Sequence, residues 1–576
     1  MADVLSKEKR VICMSRVKSK NTKPELMVRC FLFARGFRFR IHRTDLPGKP
    51  DIVLPKYKVA IFVNGCFWHG HNCNYAKIPV TNTEFWQEKI SCNIIRDARN
   101  VSKLRDMGWR TYTIWQCELK PKQRKVTLEN LINYITMRDT AFPQKAFMTL
   151  MDIGIKNKGR VQLFDESCLD SEGKIIPFDT QLAIVTHYLI TEGTQYARVY
   201  DKAKDFIKLW SDNKIIKHCF PENLVCEYDP FQRALFNDIF DIPFPSPLVP
   251  KFTFIDLFAG IGGFRMAMQN LGGQCVFSSE WDDQAKRTYF ANYGDIPFGD
   301  ITTEQTKSFI PDNFDVLCAG FPCQAFSMAG KKLGFEETRG TLFFDVAEII
   351  RRKRPKAFFL ENVKGLQIHD KGRTLHTILK VLREDLDYYV PDPEIVNAMN
   401  FGVPQHRERI YIVGFRKDIN ADGFTYPLPT DTSKRWIDVR ESEPVSVKYY
   451  LSTTYIDTLV RHKARHESKG NGFGYAIVPD DGIASAIVVG GMGRERNLVI
   501  DKRLTDYTPV TRIKGEVNRL GWRKMTPREW ARLQGFPDSF NIVVADASAY
   551  KQFGNSVAVP AIQATAKELL TRAKLI

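Results

Sequence analysis

No run of 18 apolar residues occurs anywhere in the 576-residue chain, so it offers no candidate transmembrane helix. Its first ten residues, MADVLSKEKR, lack the apolar core of a secretion signal. A cytoplasmic protein of prokaryotic type is therefore expected, with its 12 cysteines serving as thiols, metal ligands or nucleophiles rather than as disulfides. Internal repeats and low-complexity tracts are missing too. With 44% hydrophobic and 26% charged residues, the composition excludes a disordered or fibrous chain. Acidic side chains are scarce in the first fifth: residues 1–120 carry 23 Lys+Arg against 10 Asp+Glu, which concentrates most of the net charge of +18 there. Such a surface suits a polyanion, most simply double-stranded DNA, and gives no reason to expect a membrane partner.

What is present divides into three parts. Residues 1–125 interleave aromatic and basic side chains with helix and strand patterns, which predicts a small α/β domain. Helices are expected over Pro24–Phe33 and Thr83–Met107, and strands at Asp51–Leu54, Val59–Val63 and Arg110–Trp115. Residues 126–250 carry no chemical motif. They read as a helical spacer, with helices at Gln181–Ile190 and Tyr196–Trp210 and a Pro-rich connector, DIPFPSPLVP, at its end. From 251 to 576 apolar strands alternate with helical stretches. Phe254–Leu257, Cys275–Ser278, Val316–Ala319, Ala357–Leu360 and Ile410–Val413 predict a doubly wound, Rossmann-like α/β domain. Residues 417–522 break that rhythm as an inserted domain. The connector implies that the last part folds by itself.

The third part carries a linked set of motifs. The run Asp256-Leu-Phe-Ala-Gly-Ile-Gly-Gly263 follows a strand and opens a helix, so Gly260 and Gly262 allow the backbone to approach a cofactor closely. Glu280 ends the next strand, where a carboxylate can take both hydroxyls of a ribose. Asp300 can accept from an adenine amino group, and Phe258 and Trp281 offer apolar faces. Cys323, in Gly320-Phe-Pro-Cys-Gln324, sits at a strand-to-loop corner and suits a thiolate nucleophile, although a lone cysteine is more often a small buried hydrophobe. Glu361 ends another strand, and Arg407 and Arg409 precede a fifth.

Together with Arg528–Pro537 (REWARLQGFP) and Gly554-Asn-Ser-Val557, these motifs resemble the cytosine C5-DNA methyltransferases over nearly all of 252–576. The resemblance implies S-adenosylmethionine as cofactor, held also by Pro322, Leu342 and Asn555. It implies that Cys323 adds to carbon 6 of a flipped-out cytosine, while Glu361 serves ring N3. Arg407 and Arg409 would steady the base carbonyl and the catalytic carboxyl. The 417–522 insertion stands where the family has its target-recognition domain. Within it, the arginines of Gly490-Gly-Met-Gly-Arg-Glu-Arg496 either read guanines or form a solvated charge run.

In the first part, Cys66, His71, Cys73 and Cys117 suit a closed Cys₃His structural Zn²⁺ site, against the alternative of scattered buried cysteines. The segments Lys18–Glu25, Asp45–Asp51 and Val63–His69 resemble the very-short-patch-repair (Vsr-type) mismatch endonucleases over residues 10 to 120. A small restriction-endonuclease-like fold follows from that resemblance. So does a catalytic Mg²⁺ on Asp51 and Val63, a water activated by His69, support from Glu25, and an intercalating wedge of Met14, Phe67, Trp68 and Trp86. Asn64 departs from the best-known members, which have histidine there, and a slower nuclease is expected from it. The combined expectation is one polypeptide that methylates cytosine and nicks thymine–guanine mismatches left by deamination of the product. The alternatives are a restriction role against unmodified DNA and a zinc-stabilised DNA-binding module without cleavage. The sequence leaves protein partners open, with DNA repair or restriction proteins as the candidates.

Overall fold

The computed structural model describes residues 21–576 apart from 42, 72, 74, 77–81, 108, 122, 137–150, 152–167, 171, 192–193, 213–241, 248, 323–341, 471–473, 490–493 and 511–514. Met14 and Cys323 lie outside the described residues. The described chain divides into two compact units, one reaching to residue 136 and one from 151 onward.

In the first unit, Thr22 and Glu25 form a reciprocal capping box that starts the Lys23–Ala34 helix, with Pro24 in its first turn. Strand β1 (Ile52–Leu54) pairs antiparallel with β2 (Val59–Asn64), and β2 pairs parallel with β3 (Arg110–Trp115). The 24-residue helix Thr83–Asp106 supplies the crossover that a parallel β2–β3 pair requires. The Lys23–Ala34 and Arg124–Thr136 helices share one apolar core with the sheet, built on Val28, Leu32, Ile61, Ile114 and Leu131.

The second unit is built on a seven-stranded sheet. In chain order its strands are β4 (Phe252–Leu257), β5 (Gly273–Ser279), β6 (Val316–Gly320), β7 (Ala357–Val363), β8 (Tyr388–Tyr389), β9 (Glu394–Asn397) and β11 (Glu408–Arg416), with β10 (Gln405–His406) in a small separate pair. The spatial order is β5-β4-β6-β7-β11-β8, with β9 also on β11. β5, β4, β6 and β7 are mutually parallel, while β11 runs antiparallel to β7. This is the expected Rossmann-like α/β sheet, ending in an antiparallel strand that brings Arg409 opposite Val363.

The described residues between 126 and 250 pack into the two units. The Arg124–Thr136 helix belongs to the first unit's core, whereas residues 168–212 pack into the second. In the Phe178–Thr191 helix every residue but Asp179 is buried, and the Tyr200 hydroxyl donates to the Val276 carbonyl of edge strand β5 at 2.7 Å. Tyr196–Trp210 is broken into a 3₁₀ stretch, Gln195–Tyr200, and a helix, Ala203–Asp212. The connector is also docked: Phe244 donates its N–H to the Asn292 carbonyl and stacks near Tyr293 and Phe540. The second unit therefore begins well before residue 250.

Residues 417–522 are irregular, with one long helix, Thr453–Glu467, and small apolar clusters of their own around Leu459 and Tyr450. They are also stitched to the main core through Trp436, Val478 and Ile487. Among the described residues no helix is long and apolar enough to cross a membrane.

Candidate active sites

At the carboxyl end of β4 the chain turns sharply. Phe258, Gly260 and Gly262 all adopt positive φ, and Gly262 caps the Gly263–Asn270 helix. A β-carbon at Gly262 would lie 2.2 Å from the Tyr293 ring, whereas one at Gly260 would meet nothing within 4 Å. Gly262 is thus demanded by packing, and Gly260 faces open space. Asp256 begins this turn with both carboxylate oxygens buried, and burial pushes its carboxyl up to about 8.

Glu280 closes the same cradle from β5. One of its oxygens accepts from Gly260 N–H (2.8 Å) and the other from Trp281 and Asp282 N–H (2.9 and 2.8 Å). Burial raises the Glu280 carboxyl, and the three N–H donors oppose that rise. Trp281 is 77% exposed, an unusual state for so large a ring, and stands at the mouth of the cradle. Asp300 follows Phe298, whose backbone pairs with Ser278 and Glu280 as a one-residue extension of the sheet. Gly263 lies against Ser556 and Val557, which brings the Asn555 region to this loop. Pro322 and Leu342 flank residues 323–341. The cradle has the donors and acceptors of a nucleoside site: open glycine backbone, two carboxylates and an exposed indole.

A second cluster adjoins it. Gly320 of β6 pairs with Glu361 of β7, and the Asn362 side chain holds the Phe321 carbonyl at 2.8 Å, which fixes the backbone two residues before Cys323. Arg409 Nε lies 3.0 Å from Glu361. Arg407 does not join them. Its guanidinium is buried and donates to the carbonyls of Ile487, Gly554 and Ser556. Burial and the neighbouring Arg409 lower it to about 9. The expectation that Arg407 steadies the base is corrected by this geometry: Arg407 falls in the break between β10 and β11, outside either strand, and binds the backbone at 487 and 554–556 instead. Arg494 and Arg496 are both exposed, with Arg494 5.2 Å from the Tyr550 ring.

In the first unit, Asp51 precedes β1 and accepts from Val63 N–H at 2.7 Å, which brings its carboxylate to the end of β2. Burial pushes Asp51 up to about 6; that N–H opposes the rise, and Glu25 adds to it. Glu25 caps its helix and pairs with Arg29 at 2.8 Å, and Arg29 in turn donates to the Asp51 carbonyl at 3.2 Å. Glu25 thus supports Asp51 indirectly. His69 follows β2, and its Nδ1 is hydrogen-bonded to Asp97. Burial would raise the Asp97 carboxyl, but His69 and Arg96 outweigh it and hold it low. An imidazole fixed by a carboxylate at Nδ1 presents Nε2 as a base. Sequence reasoning missed Asp97, which carries no motif and lies 28 residues from His69 in the middle of a charged helix.

Beside this site the ligand atoms of Cys66, His71, Cys73 and Cys117 all lie within 4.8 Å of one another. That spacing fits one tetrahedral cation with metal–sulfur bonds of about 2.3 Å. Trp115 stacks on the His71 ring at 4.4 Å and limits its rotation. Phe67, Trp68 and Trp86 form a half-exposed edge-to-face cluster, with centroids 5.2 to 5.9 Å apart and Lys89 over the rings.

Two family profiles match the chain: C-5 cytosine-specific DNA methylase over residues 252–571, and DNA mismatch endonuclease Vsr over residues 2–75. The second match includes Glu25, Asp51 and His69 and stops before Asp97 and Cys117. The chain is 76% identical over 358 residues to the type II methyltransferase M.HpaII of Haemophilus parainfluenzae, covering 62% of this chain and 98% of that protein. It is 39% identical over 376 residues to the DNA-cytosine methyltransferase of Escherichia coli K12, covering 56% and 78% respectively. The solved Dnmt2 methyltransferase of S. pombe superposes on 56% of the chain and 98% of its own length, with 20% identity and a TM-score of 0.42.

Proposed function

The chain belongs to the C-5 cytosine-specific DNA methylase family and also carries a Vsr mismatch endonuclease domain, and from that premise we propose how the two halves work and why they are joined. The second unit is a DNA C5-cytosine methyltransferase, for which S-adenosylmethionine is the expected methyl donor. Glu280 would take the ribose hydroxyls, Asp300 the adenine amino group, and Trp281 and Phe258 the adenine faces. Gly260, Gly262, Pro322, Leu342 and Asn555 would complete the pocket. Bound there, the cofactor supplies an electrophilic methyl group.

Cytosine carbon 5 is too weak a nucleophile to react unaided. The Cys323 thiolate adds to carbon 6 and drives electron density towards carbon 5. Glu361 donates to ring N3 as that charge develops, and Arg409 holds Glu361 in place. After transfer, loss of the carbon 5 proton expels Cys323. The base must leave the duplex for this, at a cost of a few kcal/mol. Residues 417–522 would read the target sequence, with Arg494 and Arg496 reaching guanines or phosphates.

The first unit would nick DNA where 5-methylcytosine has decayed to thymine opposite guanine. His69, held by Asp97, takes the proton of the attacking water. Asp51 and the Val63 carbonyl would hold Mg²⁺, which supplies charge for the phosphate oxygens. The Cys66, His71, Cys73 and Cys117 cluster would hold a structural Zn²⁺. Phe67, Trp68 and Trp86, with Met14, would enter the stack at the mismatch, where unpairing costs least. The paired His69–Asp97 side chains beside a buried, cation-seeking Asp51 are the observation that carries the nuclease reading.

The similarity to type II methyltransferases keeps a second reading in play, in which the nuclease cuts unmodified duplex. One assay separates the readings. Matched unmethylated, matched methylated and thymine–guanine duplexes of one sequence are incubated with Mg²⁺ and scored for nicks. Preferential nicking of the mismatch supports repair, and preferential cutting of the unmethylated duplex replaces it with restriction.

A further inference from the structure

The Phe178–Thr191 helix is unlike an ordinary surface helix: every residue but Asp179 is buried, including the polar Gln181, Thr186, His187 and Thr191. Such polar groups are tolerated only when paired, and their partners show what the helix holds. Gln181 accepts from the Trp210 indole at 3.1 Å, which joins the helix to Ala203–Asp212. The Thr186 hydroxyl accepts the backbone N–H of Ile296 at 2.9 Å. His187 donates from Nδ1 to the Ala183 carbonyl (2.9 Å), which turns Nε2 towards Asp295 Oδ2 at 3.3 Å and Ser278 Oγ at 3.4 Å.

These contacts converge on one short stretch, residues 295–298. Asp295 is fully buried between His187 and Arg265, and Arg265 stands in the helix opened by the glycine turn. Phe298 donates its N–H to Ser278 O at 2.8 Å and accepts from Glu280 N–H at 2.9 Å. Its ring stacks on Phe277 at 5.0 Å and packs on His187 at 4.9 Å. Two residues later comes Asp300. The stretch 296–298 makes only a single parallel bridge to the sheet, Ser279 to Phe298, so its outer side depends on the helix. The methylase family profile begins at residue 252, so the helix lies outside the family match.

We infer that residues 168–212 are a working part of the methyltransferase: Thr186 and His187 position the 295–300 stretch so that Asp300 and Glu280 stand ready for the adenosyl group. The inference rests on the cofactor assignment of those two carboxylates made above. Thr186 and His187 touch no reacting atom; they are positioning residues, and their effect falls on cofactor affinity.

The test uses the full-length protein. His187→Leu removes the polar partner of Ser278 Oγ, whereas His187→Gln keeps a polar group near the position of Nε2. Thr186→Val removes the acceptor for Ile296 N–H, together with the hydroxyl's own donation to the Leu182 carbonyl within the helix, and preserves shape. Equilibrium dialysis with labelled S-adenosylmethionine should show affinity weakened on the order of tenfold in His187→Leu and Thr186→Val, a size typical of a sub-ångström to ångström misplacement of binding groups. His187→Gln should bind close to wild type. DNA affinity, and kcat at saturating cofactor, should be little changed. Hydrogen exchange without cofactor should quicken at Ile296, Phe298 and Glu280. If His187→Leu does not fold, Thr186→Val alone decides. A wild-type chain that fails to bind S-adenosylmethionine defeats the cofactor assignment. Normal wild-type binding with unchanged affinity in the folded variants overturns the inference alone, as would a loss that falls on kcat instead.

Discussion

Each unit sets a carboxylate at a strand end as the centre of its chemistry, and the two are managed in opposite ways. Glu361 has its cation built in: Arg409 lies 3.0 Å away on the neighbouring antiparallel strand. Asp51 is held differently: Arg29 pairs with Glu25 and donates to the Asp51 backbone carbonyl, and the nearby charges of Arg29 and His69 only partly oppose the burial of the Asp51 carboxyl. Burial accordingly pushes Asp51 up to about 6. A carboxylate with a guanidinium alongside is fixed in position, and one held by burial and a backbone N–H leaves room for an added cation.

Four experiments would break or sharpen that comparison. Cys323→Ala should have the largest effect, abolishing methyl transfer in a labelled-cofactor assay while duplex binding and nicking persist, since phosphate contacts elsewhere supply most of the affinity. Normal methylation by this variant would end the proposed mechanism. Asp51→Asn should lower Mg²⁺-dependent nicking on the order of 10³-fold, as loss of a metal-bound carboxylate does, with methylation untouched. If both activities fall together, the units are not independent catalysts.

Removing a ligand from the cysteine cluster should act on stability before chemistry. Cys117→Ser should release about one zinc per chain and cost several kcal/mol of stability in the first unit alone, because metal binding there is folding energy. Metal analysis with two-step thermal unfolding would show it, and a metal-free first unit that melts normally would remove the zinc site. The smallest effect is expected at Asn64. Asn64→His restores a group able to relay a proton near the scissile phosphate and should speed nicking roughly tenfold or less. An unchanged rate would mean that His69 and Asp97 already suffice.

Much of this was readable in order along the chain, for a physical reason. Gly260, Glu280 and Glu361 belong to turns and strand ends whose neighbours in sequence define them, so residue type and local spacing carry the information. The same holds for Cys66, His71 and Cys73, which fall within eight residues. Strand positions were legible because buried parallel strands are continuous apolar runs.

What tertiary structure decided is where side chains from distant elements meet. Asp97 became the partner of His69 only because the Thr83–Asp106 helix crosses back over the sheet. Arg407 and Arg409 read as equals in sequence, yet Arg407 falls in the break between two strands and is drawn into a knot of backbone carbonyls, while Arg409, inside β11, reaches Glu361. The stretch from 126 to 250 looked featureless because its polar residues have no local motif. Their meaning lies in partners such as Asp295 and Ile296, about 110 residues away, and a contact at that range leaves no periodicity for a sequence to show.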